Sequence, residues 1–327
     1  MVATSSSVRS RGNAFALPEL DRASDFREDT GALQARARAE SARYVLLRTD
    51  GHALVSADRR GLHALGASDR ERFAPDAAAS FLGHANGNDY FLVTVESAHA
   101  ERIVDASGAA LLDLRSAGGV FTAFDAGLFA YARGLAHWQT RTRFCTVCGA
   151  PLLLEAGGHR AKCTNSQCST EHFPRTDPAI LVIVGHGERC LLGRGSQWPE
   201  RRFSTLAGFV EPGETLEDAV RREVFEEAGV RVAECDYHSS QPWPFPASIM
   251  LGFTAEAQEP TITLGSELAE ARWFSVAELV DGLKARTLGL SSPLSVSYRL
   301  IEHWLRQTAG LELSELTQDD PLFGAKR

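Results

Sequence analysis

The chain has 327 residues, too many for one ordinary domain and enough for two or three. With 44% hydrophobic and 23% charged residues it has the composition of a soluble globular protein. A formal net charge of −8 argues against broad non-specific nucleic-acid binding but leaves room for a local basic patch.

No apolar run approaches the ~18 residues a membrane span needs. The opening MVATSSSVRSRGNAF has serines and arginines but no apolar h-region, so it is not a secretory signal. A flexible tail over residues 1–15 is expected, with a mitochondrial-type presequence as the alternative. The C-terminal AKR matches no retention or peroxisomal signal, which points to a cytoplasmic protein.

Residues 43–57, RYVLLRTDGHALVSA, predict two strands around an Asp50-Gly51 turn, and FLVTVE at 91–96 predicts a further strand. DAGLFAYARGLAHWQ at 125–139 spaces its apolar residues for a helix, with Asp125 as the expected N-cap. The histidines and carboxylates of this segment are scattered and form no cluster of catalytic type.

Four of the six cysteines fall close together. Cys145, Cys148, Cys163 and Cys168 follow the pattern C-x2-C, fourteen residues, C-x4-C. In a reducing compartment such clustering points to metal before disulfide. Four thiolates make a tetrahedral site that suits zinc, and they leave no position open for water, so the site is structural rather than catalytic. The alternative, four unligated thiols, requires the paired spacing to be accidental. Cys190 and Cys235 stand alone and are expected as small buried residues. Around the cluster Arg141, Arg143, Arg160, Lys162 and Arg175 outweigh Glu155 and Glu171. That suits a solvated surface or a nucleic-acid contact.

From Thr176 onward, DPAILVIVGHGERCLLGRG reads as strand, turn and strand, and ASIMLGFTAEA as another strand. ARWFSVAELVDGL reads as a strand running into a helix, and SPLSVSYRLIEHWLRQ as an amphipathic closing helix. Mixed strands with helices on either side predict an α/β or α+β sandwich.

Between these elements lies GFVEPGETLEDAVRREVFEEAGV, Gly208 to Val230. Pro212-Gly213 marks a turn, a helix is expected from Glu214 to Ala228, and Gly229 stands where a helix-ending glycine belongs. At separations of three and four residues, Glu223, Glu226 and Glu227 share one helix face. Three like charges there destabilise a bare helix. Clustered hard oxygen ligands are what Mg2+ or Mn2+ requires, with substrate phosphates completing the shell. Arg222 is expected to orient a carboxylate through a bidentate pair. Gly208 and Gly213 are expected to let the backbone bend towards a phosphate.

Gly208, Glu214, Arg222, Glu223, Val224, Glu226, Glu227, Gly229 and Val230 match every defined position of the Nudix box, G-x5-E-x7-R-E-U-x-E-E-x-G-U. The chain therefore resembles the Nudix hydrolases. SQPWPFPASIM, Ser240 to Met250, resembles the SQPWPFPxS signature of their NADH pyrophosphatase subfamily. Its three prolines predict a stiff loop presenting Gln241, Trp243 and Phe245, which suits a ligand with flat rings. A structural turn buried under the sheet is the other reading. The resemblance covers residues 140–300 strongly, and LDRAS near Leu20 and the 125–138 stretch less specifically.

The resemblance implies a Nudix α/β/α sandwich at 176–327, a zinc ribbon at 141–175 and an N-terminal decayed Nudix-like domain at 1–140. It also implies a homodimer and an NAD(H) diphosphatase that converts NADH or NAD+ to NMN(H) and AMP. Decapping of NAD-capped RNA uses the same bond, and a non-catalytic nucleotide sensor is the rival of another class. Glu223 and Glu227 match metal-binding glutamates, and Glu227 or Glu226 governs the attacking water. Glu267 matches a further metal ligand, with Glu270 as fallback. Gln241, Pro242, Trp243, Pro244, Phe245, Pro246, Ala247 and Ser248 match the substrate loop. Ala207 and Ser297 match backbone contacts to substrate, and Phe173 and Phe209 match aromatics that sandwich the nicotinamide. Phe173 replaces the usual tyrosine, and Gly158 replaces a family glutamate, which this chain either lacks or substitutes with Glu155.

Overall fold

The computed structural model describes residues 5–317, so the first residues and the C-terminal AKR lie outside the described part. Among the described residues no helix is long and apolar enough to cross a membrane. The chain divides into two compact units. One comprises the segment ending at Asn13, Asp177–Pro242 and the chain from Ser248 onward; the other comprises Ala14–Thr176 and Trp243–Ala247.

The first unit is built on a six-stranded mixed sheet. Its order is Val232–Trp243, Ser248–Ala257, Asp177–His186, Arg189–Gly195 and Leu268–Ser275, with Leu206–Phe209 also pairing with Asp177–His186. The Asp177–His186 strand is apolar on both faces because both are covered. Ile180, Val182 and Val184 pack with Ala219, Val220 and Val224 of the helix Leu216–Ala228. Leu181 and Ile183 pack with residues of the helices Val276–Lys284 and Val296–Ala309. This is the expected α/β/α sandwich, and burying each such valine contributes about 1.5–3 kcal/mol. The helix Leu216–Ala228 starts two residues later than its propensity suggests. Thr215 caps it by accepting from the Asp218 amide, while Glu214 stays in the preceding turn. Gly229 ends it at φ 67°, as expected.

Residues Ser6–Gly12 form a helix where the sequence suggests a tail. Arg9 Nε donates to the His238 carbonyl, Ser10 Oγ accepts from the Ser240 amide, and Asn13 Nδ2 donates to Ser239 Oγ and the Ser240 carbonyl. Cys190 is fully buried, as expected, whereas Cys235 is only half-buried on the strand Val232–Trp243.

The second unit holds a five-stranded sheet ordered Ala79–Ala85, Asn88–Val95, Ala42–Arg48, Ala53–Val55, Ala110–Leu112. The Asp50-Gly51 hairpin is present, with Leu47 opposite Ala53. The helix Ala123–Arg141 is longer than the predicted 125–139, and its N-cap is Thr122, not Asp125. Thr122 Oγ1 accepts from the Asp125 amide, so Asp125 sits in the first turn, where its charge suits the helix dipole. Strands Leu152–Glu155, Arg160–Cys163 and Glu171–His172 form a separate small sheet around the cysteines.

Candidate active site and zinc site

The carboxylates of the helix Leu216–Ala228 differ sharply in environment. Glu226 lies on the open side, its side chain 58% exposed, and Glu223 is nearly covered at 12%. Glu227 is buried, and its Oε2 has no hydrogen-bond partner among the described residues. Burial pushes the Glu227 carboxyl up to about 8, the Ala207 amide works against that, and the charges of Glu223 and Glu267 add to it. Burial also raises Glu223, and Arg222 opposes the rise.

Arg222 is the hub that holds this face in order. Its Nε and Nη2 grip both oxygens of Glu214 at 2.6 and 2.9 Å. Its Nη1 donates to Glu223 and Glu226 at 2.8 and 3.0 Å, and Nη2 also reaches the Phe209 carbonyl at 2.9 Å. The bidentate partner is therefore Glu214 rather than one of the clustered glutamates. The paired guanidinium draws the Glu214 carboxyl down to about 2. Sequence spacing misses this role, because a turn separates Glu214 from the helix and helical arithmetic does not cross it.

Gly208 is required for a reason other than backbone freedom. A Cβ there would lie 1.9 Å from the Glu223 carboxyl carbon. The strand Leu206–Phe209 thus leaves a notch into which Glu223 fits. Gly213, at φ 93° with open space around it, is the conformational glycine of the pair.

The segment carrying Glu267 docks on the C-terminal end of the helix. The amides of Thr263 and Gly265 donate to the carbonyls of Ala228 and Glu227. A Cβ on Gly265 would meet the Glu226 carbonyl at 2.0 Å, so the approach is close. Glu267 is exposed, and its charge acts on both Glu223 and Glu227. Glu270 instead pairs with Arg194 at 3.5 Å across the sheet register.

The donor set fits a hard divalent cation. A buried carboxylate oxygen without a partner, a second carboxylate in a glycine notch and a third on an adjoining loop supply oxygen ligands that repel one another without a counter-charge. Among the described residues only the four cysteines form a group whose ligand atoms all lie within 4.8 Å of one another. Two of the glutamates are held by Arg222.

Near this face Ala207 and Phe209 are exposed, Phe209 at 60%. Ser297 is buried. Its Oγ accepts from the Thr205 amide at 3.2 Å and lies 2.8 Å from Ser204 Oγ, and its own amide donates to the capping Ser295 Oγ at 3.2 Å. Gln241 is 1% exposed, its Oε1 accepting from the Val296 amide and its Nε2 donating to the Leu294 carbonyl. The side chain ties the strand to the start of the next helix rather than presenting itself on a loop.

In the other unit Trp243 and Phe245 pack against each other with ring centroids 5.1 Å apart, and each lies 5.9 Å from Phe15. Arg115 lies 4.0 Å above the Phe245 ring. Pro244 and Ser248 are buried, Ala247 is half-buried, and Pro242 and Pro246 are exposed. The aromatic loop thus has a packed structural side. Phe173 follows the last ribbon strand and is 57% exposed.

The cysteine sulfurs lie close enough to share one ion. Cys145 to Cys168 is 3.7 Å and Cys148 to Cys163 is 3.4 Å. Ligands at ~2.3 Å around a tetrahedral zinc stand about 3.8 Å apart. The first knuckle closes with the Gly149 amide on the Cys145 carbonyl, and the wider second knuckle turns with the Cys168 and Ser169 amides on the Asn165 carbonyl. The extra residues of C-x4-C therefore form an ordered turn. Gly158 has no room for a side chain, because a Cβ would meet Ser80 Oγ at 2.2 Å. Glu155 pairs with Arg160 at 3.1 Å.

Residues 174–291 match the NUDIX domain family, and residues 41–138 match the NADH pyrophosphatase-like rudimentary NUDIX domain. The chain is 41% identical over 194 residues to "NAD-capped RNA hydrolase NUDT12" of Macaca fascicularis; the match covers 56% of this chain and 42% of that relative. It thus spans less than half the length of that curated relative. It is 37% identical to "NAD-capped RNA hydrolase NudC" of Stutzerimonas stutzeri over 70% of this chain and 78% of the relative. A protein of the same name from Mycobacterium bovis is 36% identical over 78% of this chain and 86% of its own.

Proposed function

Because the chain belongs to the NudC-type NADH pyrophosphatase subfamily of the Nudix hydrolases, we propose that it is an NAD(H) diphosphatase. It hydrolyses the pyrophosphate of NADH or NAD+ to NMN(H) and AMP. The observation that carries this reading is the buried, unpartnered Oε2 of Glu227 beside Glu223 in its glycine notch. A binding protein gains nothing from the cost of burying that carboxylate.

Glu223, Glu226, Glu227 and Glu267 would hold Mg2+ or Mn2+, which lowers the pKa of water and offsets charge growing on the phosphoryl oxygens. Glu227 accepts the proton of the attacking water, with Glu226 as the more exposed alternative. Water attacks phosphorus, and one P–O bond of the anhydride breaks. Arg222 keeps Glu223 and Glu226 in position. The backbones of Ala207 and Ser297 contact the substrate, the 241–248 loop shapes its pocket, and the open faces of Phe173 and Phe209 stack on the nicotinamide. The working assembly is a cytoplasmic homodimer with one zinc per chain, divided at residues 140 and 175 into N-terminal, ribbon and catalytic parts.

Incubation with NADH and Mn2+ tests the activity. Glu227→Gln should fold and lose roughly 100-fold or more in kcat; near-normal turnover by that variant removes Glu227 from the mechanism. Phe173→Ala should lose about five- to a hundred-fold in kcat/KM on NADH, and much less on ADP-ribose, which has no nicotinamide. The relatives' names support a second reading, removal of NAD caps from RNA. Comparing turnover on NADH and on NAD-capped RNA at several salt concentrations separates the two.

A further inference from the structure

The helix Ala123–Arg141 carries basic side chains to which the proposed hydrolysis assigns no role. Arg133, His137 and Arg141 stand at intervals of four residues and so share one face. That face is one wall of a cavity of ≈ 290 Å3, which Arg48, Asp50 and Thr140 help to line. The one carboxylate among these residues is already engaged. Asp50 accepts from Arg48 at 2.9 and 2.5 Å and lies 3.0 Å from His52 Nδ1. Arg133 is fixed at one side of the cavity, its Nη1 donating to the Pro244 carbonyl at 2.6 Å and its guanidinium 4.9 Å above the Phe245 ring. Its other N–H groups are uncommitted among the described residues. His137 and Arg141 make no hydrogen bond or ion pair within the described residues. Arg133 and Arg141 act as like charges on His137, which lies partly buried between them.

A solvated basic stripe would spread its charges outward to separate them. Here they converge on a concavity of nearly the smallest size that holds a small ligand, and one of them is locked in place by a backbone bond. Forked guanidinium groups and an imidazole N–H meeting in a recess match the tetrahedral oxygens of a phosphoryl group. We propose that this cavity is a phosphate-binding site, occupied by the phosphate of a nucleotide, either free or in an RNA chain. Arg133 and Arg141 supply charge and donors, and His137 donates between them.

The test reads binding rather than hydrolysis, so it stands or falls apart from the proposed catalysis. The full chain, without added divalent cation, is titrated calorimetrically at fixed ionic strength with inorganic phosphate, AMP and an uncapped RNA oligonucleotide. The same titrations are run on His137→Gln/Arg141→Gln. Saturable binding that weakens about ten-fold or more in the variant is expected, the scale for losing charge-assisted hydrogen bonds. A response to AMP and phosphate assigns the site to free nucleotides. A response to RNA, with a salt slope shallower by about one for each phosphate the variant no longer neutralises, assigns it to chain phosphates. If none of the three probes saturates, or if the variant binds as tightly as the parent, the assignment is wrong. Should the double variant fail to fold, Arg141→Gln alone serves, since that side chain is exposed at the helix end.

Discussion

Arg222 and Glu214 are joined by two parallel hydrogen bonds of 2.6 and 2.9 Å, which fasten the loop before the helix Leu216–Ala228 to its middle. The same guanidinium reaches the Phe209 carbonyl and two of the proposed metal ligands. A lysine keeps the charge but has no planar fork to span these partners. Arg222→Lys should therefore lower kcat on NADH about ten-fold or more while leaving the melting temperature within a few degrees. A large loss of thermal stability with kcat preserved in the folded fraction would make Arg222 a brace for the fold alone.

Gly208→Ala should be more damaging than its size suggests. The added carbon falls on the Glu223 carboxyl, so Glu223 must leave its notch. The expected result is a drop in kcat of roughly 100-fold, with weaker Mn2+ dependence, in a protein that still folds. The backbone at Gly208 is not left-handed, so strain would not account for the loss. Unaltered Mn2+ activation would show that Glu223 does not need that place.

The cysteine cluster should contain about one zinc per chain in protein purified without chelator. Structural zinc contributes ~10–16 kcal/mol of apparent binding free energy in small fingers, so removal should be slow. Cys163→Ser should lose the metal and the hydrogen-exchange protection of residues 145–172. Metal analysis that finds no zinc in the parent protein overturns this reading.

His238 is 4% exposed, and its Nε2 has no hydrogen-bond partner among the described residues. Burial, then the charges of His303 and Arg9, push its pKa down from 6.5 to about 3. In this interval the unfolded chain takes up a proton that the folded one refuses. Its contribution to stability is therefore full above pH 6.5 and is lost as pH falls towards 3, by at most about 1.4 kcal/mol per pH unit. Denaturant unfolding at pH 7 and pH 5 should show a loss of up to about 2 kcal/mol from this group. His159, pushed down to about 4 by burial, acts in the same direction in the other unit. A His238→Gln variant should be less sensitive to pH across this range. Identical pH dependence in variant and parent would exclude His238 as a contributor.

A mixed α/β or α+β sandwich, the Asp50-Gly51 hairpin and the clustered cysteines are legible in the chain because each rests on a local pattern. Apolar runs, a two-residue turn and paired thiols need no knowledge of distant residues. What stayed hidden depends on contacts remote in sequence. Gln241 has the chemistry of a ligand contact, yet Leu294 and Val296 occupy its amide. Trp243 and Phe245 look like a presented platform until Phe15, more than two hundred residues earlier, is found against them. Asp125 looked like a cap because Thr122 lies outside the apolar period. Gly208 has the look of a flexible position, whereas the actual demand is the volume of another side chain.

Gly158 shows how such a demand can fix a residue from a distance. A Cβ at that position would press on Ser80 Oγ at 2.2 Å, on a backbone held at φ +91° with its carbonyl bonded to Gln139. The glutamate that the resemblance implies at this position does not fit by substitution of Gly158 alone, because neighbours occupy the space and the backbone is left-handed there. A side chain at this position requires Ser80 and the turn to change with it.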